Sequence, residues 1–534
     1  MYLGKKSVYR FFLLLASFFM LWATVTSITS PKIGGIFSLF RNIHSVKVTI
    51  ILNILCLIIA FFIYFIILQL IKKTKAVDIK KKYLYIFLTC ELALYFIGIL
   101  AFTHFIGFNH PVDDTRIVLN NIELLNNGQS FGYNYMYSNP QNLLLMYLFI
   151  GIQYFLGSSY TMLIVIFAVI HILTILILFF SLKNLGITNF ISLLVLQLLI
   201  LAIQITLHVP VAYTDILSLF FIAITFFFIT NYVKKQNEQR KWAVPNLLLA
   251  LTFCTLGFIS KGTLLILILA IAVFLFLTNT KWKKLLALLP FVFLCLGNLG
   301  WAHFINSQNL YPDNNYGQPN THYLMMGINH TPIPNDLSQE EKARWTVGTY
   351  SSDEQGFTWK LFLEEKKPKE EVKKAHLEII KKRYSELSFR ELLAVFNNKV
   401  SVTWGSGDLK SSFEVFLGTG KNEERIKLFT NMFSGTILYM WMMTVQYLIY
   451  VGVIFTGFYL FKQRQPIALL ATIYISGYFT FLLIWEASPR YAMGIFIPAI
   501  LLIGLSLNHY RYTLKKKTKT DSTVSYEKKL YYKR

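Results

Sequence analysis

Two adjacent carboxylates followed by an arginine are the residues of this chain that most directly suggest chemistry. They lie in the stretch Pro111-Val112-Asp113-Asp114-Thr115-Arg116, just after a long apolar run. A carboxylate can act as a general base on a hydroxyl group, and a nearby arginine can bind a phosphate. The alternative is an ordinary helix start, because acidic side chains in a first turn are favoured by the helix dipole. The local sequence leaves both interpretations open.

Three further turns between apolar runs also carry ionisable side chains. Asp215 begins one run, Lys261 stands between two others, and Glu486 and Arg490 flank the last turn. Taken singly, each has an ordinary explanation as a helix cap, a lysine reaching the lipid headgroups or a local ion pair. Taken together, cations beside carboxylates at the ends of apolar runs favour a site for an anionic lipid substrate.

The composition defines the kind of protein in which these residues must work. Of 534 residues, 55% are hydrophobic and 15% are charged, whereas a soluble domain has about 25% charged residues. This excludes a soluble enzyme, a disordered tail protein and a disulfide scaffold. The net charge of +24 could indicate a nucleic-acid partner, but the apolar excess favours positive charge collected on one side of a membrane.

The fold class predicted is an all-α polytopic membrane protein with about 12 transmembrane helices. Crossing the hydrocarbon core takes roughly 20 apolar residues, and runs of this kind recur along the chain. The predicted spans are 9–28, 48–70, 84–108, 160–182, 190–208, 213–233, 243–259, 263–278, 285–305, 433–461, 467–485 and 491–509. The first run follows basic residues and lacks a small-residue cleavage site, so we expect it to be a retained signal anchor.

Loop charge sets the orientation of these spans. The shorter apolar run 142–156 either spans the membrane or lies at its surface. Only the surface position puts every basic cluster on the cytoplasmic side, as expected of lysine and arginine in short loops. We therefore predict an outer interfacial helix at 142–156, both termini in the cytoplasm and an extracytoplasmic active site.

The same map predicts five parts of the chain. Residues 1–83 hold two transmembrane helices, and 84–305 form a transmembrane core with a catalytic outer loop at 109–141. Residues 306–430 form an α-rich extracytoplasmic domain. Three transmembrane helices follow in 431–510, and 511–534 form a basic cytoplasmic tail.

Several kinds of site have no signature in the sequence. The histidines lack HxxxH or HExxH spacing, and the four cysteines lie singly in apolar runs. No glycine-rich phosphate loop is present. We therefore predict no metal, no cofactor and no nucleic-acid partner.

These features resemble the GT-C superfamily of membrane glycosyltransferases, which includes the protein O-mannosyltransferases and the aminoarabinose transferases of lipid A. Asp113-Asp114-Thr115-Arg116 is similar to that superfamily's acidic pair in the first outer loop, and the run after Pro140 to its proline-containing outer helix. The lysine that often precedes this proline is missing, because Ser138-Asn139 stands there, and we expect Lys261 to replace it. The stretches 322–327 and 348–357 resemble those of Gram-positive integral membrane members.

The resemblance implies an inverting glycosyltransferase. A sugar would move from a polyprenyl-phosphate donor to a cell-envelope glycopolymer, such as a teichoic acid, at the outer face of the bilayer. Partners would be a donor synthase and a flippase. A polysaccharide polymerase and a lipid-linked glycan transporter or flippase are the alternatives.

The resemblance also assigns roles to residues of this chain. Asp113, with Asp114 as helper or alternative, would be the catalytic base, and Arg116, Lys261 and Arg490 would bind the donor phosphate. Aromatic side chains of 306–430 would stack on acceptor sugars. The further substrate-binding residues expected are Tyr213, Asp215, His322, Glu486 and Tyr491.

Overall fold

The structure, a computed structural model, describes residues 3–33, 44–74, 79–238, 241–419 and 423–531. Within these ranges the chain forms helices and no β-strand, which confirms the predicted all-α membrane fold. Some predicted basic positions, among them Lys75, Arg240 and residues 532–534 of the tail, lie outside the described residues.

The helices are numbered in chain order. The first thirteen are α1 Leu3–Thr29, α2 Val46–Lys73, α3 Lys81–Ile106, α4 Asp113–Asn126, α5 Tyr135–Ser138, α6 Leu143–Leu156, α7 Tyr160–Asn184, α8 Asn189–Ile200, α9 Ile203–Thr206, α10 Thr214–Asn237, α11 Ala243–Ser260, α12 Leu265–Thr278 and α13 Leu289–Ser307. The rest are α14 Thr321–Met326, α15 Gln339–Arg344, α16 Ser352–Trp359, α17 Lys369–Ser385, α18 Phe389–Trp404, α19 Ser411–Gly418, α20 Glu423–Thr430, α21 Met432–Tyr459, α22 Pro466–Ile484 and α23 Phe496–Tyr531.

Ten of the twelve predicted runs form helical segments long and apolar enough to cross a membrane among the described residues. The run 190–208 differs, because its helix α8 ends at Ile200 and the short helix α9 follows. At its start the backbone N–H of Thr188 donates to Asn508, and at its end His208 contacts the backbone of Leu409. The broken run therefore still passes from one end of the bundle to the other.

The predicted run 263–278, whose helix is also short, traverses the bundle in the same way. Gly262–Leu264 forms a 3₁₀ turn that leads into the 14-residue helix α12. The run begins beside Lys261, and at its far end Asn279 accepts a hydrogen bond from Gln236, near the end of α10. Ten long apolar helices and two shorter apolar segments thus occupy the twelve predicted runs among the described residues.

Helix α6 begins and ends at one end of the bundle. Just before it, Asn142 accepts a hydrogen bond from Tyr213, and just after it the hydroxyl of Tyr160 donates to the carbonyl of Pro210. Both contacts are to the same short segment before α10. A 14-residue helix held in this way runs along the end of the bundle instead of crossing it.

The last three spans form the centre of the bundle. In the final span, Pro489–Lys515, 94% of the apolar window is buried, against 11% for Lys281–Ser307 and 22% for α2 and α3. The central spans end next to the segment that carries Glu486 and Arg490. Packing in the core therefore fixes one side of the candidate site.

Candidate active site

A cavity of about 1030 Å³ opens at the end of the bundle where α4, α11 and the turn after α22 meet. Eight of the ten predicted site residues line it: Asp113, Asp114, Arg116, Tyr213, Lys261, Glu486, Arg490 and Tyr491. The fold thus brings together four turns that are far apart in the sequence.

Asp113 is the first residue of α4 and has a left-handed backbone, with φ of +40°. Such conformations are uncommon outside glycine and cluster at functional sites. Removal from water raises the pKa of the Asp113 carboxyl, Glu414 raises it further and Lys410 opposes the change. A carboxyl group with a raised pKa is a stronger base toward an acceptor hydroxyl.

Lys410 is a site residue that the sequence did not reveal. Its Nζ lies 3.5 Å from Asp113 Oδ2 and 2.9 Å from Glu414 Oε1. Burial is the largest influence on the pKa of the Lys410 ammonium and lowers it, but Glu414 and Asp113 together raise it by more, so the net shift is upward. Lys410 is therefore a permanent cation between a buried glutamate and the candidate base.

A strained turn presents Lys410 to the cavity. Leu409 and Lys410 both have positive φ, of +53° and +67°. The buried Asp408 holds the turn, because it accepts hydrogen bonds from Ser406 Oγ at 2.5 Å and from Ser412 Oγ. A small polar turn, Gly405-Ser406-Gly407-Asp408, is the only sequence signal that precedes Lys410.

Asp114 is tied to the segment before α6 by a chain of hydrogen bonds. Tyr135 donates to Asp114 Oδ1 at 2.8 Å, and Asn142 Nδ2 donates to the Tyr135 oxygen at 2.9 Å. Tyr213 in turn donates to Asn142 Oδ1 at 3.1 Å. Since its oxygens are already engaged, Asp114 fits a positioning role better than that of the base.

Asp215 lies beneath the cavity and joins two of the predicted phosphate ligands. It is 3% exposed and forms an ion pair with Lys261. Arg490 reaches Asp215 Oδ2 at 3.8 Å and Asp114 Oδ2 at 3.9 Å. Asp215 therefore holds the two cations in place, and the structure does not place it on the cavity wall, where substrate contact was expected.

Arg116 differs from these cations. It is exposed at the cavity, and no carboxylate among the described residues pairs with it. Its guanidinium is free to bind an incoming phosphate in a bidentate manner.

The turn that carries Glu486 is fixed by contacts with the segment 306–430. Lys399, 1% exposed, donates 2.6 Å hydrogen bonds to the carbonyls of Gly327 and Trp485. The backbone N–H of Ala487 donates to the Gly348 carbonyl at 2.6 Å. Burial lowers the pKa of Lys399 to about 7, against the influence of Glu486.

Within this turn, Tyr491 donates a 3.0 Å hydrogen bond to Glu486 Oε2. Burial raises the pKa of the Glu486 carboxyl, while Arg490 and the Tyr491 hydroxyl oppose the change. Both side chains line the cavity.

His322, predicted to contact substrate, is 1% exposed and is not among the residues that line the cavity. Its Nδ1 is 2.8 Å from the hydroxyl of Thr358, which also contacts His376. Burial, followed by the neighbouring His376, lowers the pKa of His322 to about 3. His322 is buried on α14 and therefore lies in the core, away from the cavity. Its low pKa makes it a neutral imidazole there.

The predicted aromatic side chains of 306–430 divide into two groups. Tyr316, Tyr350 and Trp359 line the cavity. In contrast, Trp345 donates to the carbonyl of His330, and Trp404 is a core residue, 1% exposed. Tyr311 is not among the cavity-lining residues, and its ring stacks on that of Tyr316.

One side of the cavity is apolar and lies between spans. Its lining comes from the ends of α11, α12, α13 and α22: Phe258, Ile259, Leu265, Trp301, Ala302, Ile305 and Phe481. A lipid chain fits such a surface, since burial of apolar area is its main source of binding energy. Among the described residues, no group of three or more His, Cys, Asp or Glu side chains is placed to hold a metal ion.

Residues 140–301 match a family model described as dolichyl-phosphate-mannose-protein mannosyltransferase. This segment is similar to a GT-C type glycosyltransferase domain. It contains Asn142, Tyr213, Asp215 and Lys261, while Asp113 and Arg490 lie outside it. No curated protein and no solved structure matches the chain.

The match supports a glycosyltransferase of the GT-C kind, and the ten apolar helices of the described residues are consistent with a multi-pass membrane protein. Similarity to this family implies a lipid-linked sugar donor in general terms.

Proposed function

We propose that the protein is an inverting glycosyltransferase that moves a sugar from a polyprenyl-phosphate donor to a cell-envelope glycopolymer at the outer face of the membrane. The observation that carries the proposal is the position of Asp113. It lies in one cavity with Arg116, Lys261 and Arg490 and with an apolar wall between spans. A base, a set of cations and a lipid surface are the three parts that this reaction requires.

The reaction is a single displacement. The acceptor hydroxyl oxygen attacks C1 of the donor sugar, the bond from C1 to the phosphate oxygen breaks, and the lipid phosphate leaves with the bonding electrons. Asp113 takes the hydroxyl proton as the new bond forms. General-base help of this kind contributes about 10²–10⁴-fold.

The cations act on the leaving group. Negative charge grows on the phosphate as C1 departs, and fixed positive groups stabilise that charge without reorganisation. Lys261 and Arg490 are preorganised by Asp215, and Arg116 adds a cation that has no carboxylate to satisfy. Two of the three cations are thus held by a carboxylate, and the third is available to the phosphate.

The orientation is part of the proposal. Both termini would be cytoplasmic, and the cavity and the segment 306–430 would be extracytoplasmic. Its support is that α4, the end of α11 and the turn after α22 meet at one end of the bundle. The basic residues Lys234, Lys281 and Arg511 lie near the opposite ends of the candidate spans Thr214–Gln236, Lys281–Ser307 and Pro489–Lys515.

The experiment compares Asp113→Asn with wild type, using purified protein and polyprenyl-phosphate sugars, and follows envelope polymers by mass analysis in cells. Transfer should be abolished in Asp113→Asn while the amount of folded protein stays the same. Asp336→Asn is the matched control, because Asp336 is an exposed loop carboxylate of the outer segment. Full transfer by Asp113→Asn would show that Asp113 is not the catalytic base.

Asp114→Asn separates the two neighbouring carboxylates. It should lower transfer less than Asp113→Asn, because the amide still accepts the Tyr135 hydrogen bond. If Asp114→Asn were the inactive variant and Asp113→Asn the active one, the base would be Asp114.

A further inference from the structure

Opposite the cations, the cavity has a wall without charged side chains. Two outer stretches, around Tyr316–Tyr323 and Tyr350–Trp359, supply it, and we call it the outer wall. Its cavity-lining members are Tyr316, Gly317, Gln318, Asn320, Tyr323, Tyr350, Gln355 and Trp359. Every charged residue that lines the cavity belongs to α4, to Lys410 or to the turns at Lys261 and Glu486–Arg490.

Four buried polar atoms, three on this wall and one on the neighbouring Ser138, have no hydrogen-bond partner. They are Ser138 Oγ, Gln318 Oε1, Gln355 Nε2 and Trp359 Nε1, and all four residues line the cavity. Buried polar groups are almost always paired, because an unpaired one loses its bonds to water without replacement. Because these four atoms face one cavity, a ligand bound there would supply the missing partners.

These atoms form a patch of two pairs that line the same cavity. The backbone N–H of Gln318 donates to the Ser138 carbonyl at 2.9 Å. The two residues therefore lie on neighbouring segments of the chain. Gln355 and Trp359 are four residues apart on α16 and so share one face of that helix.

The chemistry of the patch is mixed. Gln355 Nε2 and Trp359 Nε1 are donors, Gln318 Oε1 is an acceptor, and Ser138 Oγ is both. A phosphate-rich polymer offers mostly acceptors and brings negative charge. None of the outer wall's cavity-lining side chains is a cation, and Lys369 lies beside the wall with its Nζ 5.4 Å from the centre of the Tyr316 ring. Hydroxyl groups of a sugar donate and accept equally well, and the rings of Tyr350 and Trp359 offer an apolar face to the C–H side of a sugar ring.

A peptide acceptor is matched less well. Extended peptides are commonly held by addition to the edge of a β-sheet, and the part of the chain that the structure describes has no strand to offer such an edge.

Resting on the proposed function, we infer that the acceptor group bound at the outer wall is an uncharged, hydroxyl-rich sugar at the end of a neutral glycan. This narrows the proposed envelope acceptor and disfavours a teichoic acid backbone at this position. The acceptor hydroxyl then points from the outer wall across the cavity toward Asp113.

Binding tests the inference without any donor. The full chain in nanodiscs is titrated with neutral hexose oligosaccharides, with poly(glycerol phosphate) and with a serine- and threonine-rich peptide, and binding is followed by saturation-transfer NMR. Neutral oligosaccharides should bind, and Gln355→Leu and Trp359→Phe should each weaken binding by about tenfold, the usual loss for one hydrogen bond in a site built for it. Gln308→Leu and Trp282→Phe are matched controls, since both positions are exposed and away from the cavity.

Asp113→Asn keeps this test distinct from that of the proposed function. It should bind the oligosaccharides like wild type while it loses transfer. Binding of only the polyanion or only the peptide, binding of none of the three, or oligosaccharide binding that is unchanged in both variants would overturn the inference. Failure of Asp113→Asn to lose transfer would instead count against the proposed base.

Discussion

The ammonium nitrogen of Lys410 lies 3.5 Å from a carboxylate oxygen of Asp113, although the two residues are 297 positions apart in the chain. The same ammonium is 2.9 Å from the buried Glu414. Because Lys410 and Glu414 act on the pKa of Asp113 in opposite directions, their removal should have opposite effects on the pH dependence of transfer.

We expect activity to fall with decreasing pH as Asp113 takes up a proton. Because the pKa of Asp113 is raised, the fall in activity on the acid side of the profile should occur at a higher pH than for an ordinary aspartate, whose pKa is about 3.9. Lys410→Met should move this fall to higher pH by about one unit or more, and Glu414→Gln should move it to lower pH. The measurement is a pH profile of kcat/KM, with Lys373→Met as a surface control. A shift of both variants in the same direction would contradict the arrangement.

Asp215→Asn should destabilise the protein as well as inactivate it. The change leaves Lys261 and Arg490 close together without the carboxylate between them, and loss of one partner of a buried ion pair typically costs about 3–5 kcal/mol. Thermal unfolding in detergent measures the effect, with Asp336→Asn as the control. The double variant Asp215→Asn/Lys261→Met should lose less stability than the two single variants lose in sum. It removes the carboxylate together with the cation that would otherwise be left unpaired.

Gly327→Ala should displace the turn that carries Glu486 and Arg490. A Cβ at Gly327 would lie 2.4 Å from the carbonyl oxygen of Ile484, closer than atoms can approach, so the backbone must shift. Transfer and unfolding temperature should both fall, with a loss of stability of about 1–3 kcal/mol. Gly151→Ala is the control, since a Cβ there meets no atom within 4 Å. Equal behaviour of the two variants would show that the close approach at Gly327 is unimportant.

The proposed orientation predicts which positions a membrane-impermeant thiol reagent reaches in intact cells. In a chain without its four natural cysteines, Asp336→Cys should be labelled, while Trp282→Cys should be labelled only after the membrane is opened. Both residues are exposed in the structure, so access to the side chain does not limit either reaction. The reverse labelling pattern would place the cavity on the cytoplasmic side.

The path of the chain through the membrane was largely predictable from sequence, because hydrophobicity over about 20 residues is a local property. Ten predicted spans appear as long helices, and α6 stays at one end of the bundle as the loop charges indicated. The break after Ile200 was not foreseen, since an apolar run gives no sign of where its helix ends. Asp113 and Asp114 were recognised because polar residues at the end of an apolar run are conspicuous.

Only the tertiary structure decided which role each residue of the site has. Sequence reasoning treated Asp215 as a substrate ligand, but the fold buries it between Lys261 and Arg490, and it takes His322 into the core beside Thr358. Lys399 carried no local signal, and Lys410 carried only the small polar turn before it. Both lysines reach the site through contacts with distant segments. The sequence by itself determined which helices form and which polar groups lie at their ends, since these depend on neighbouring residues. Which of those groups meet, and which remain free for a substrate, depends on packing between segments hundreds of residues apart.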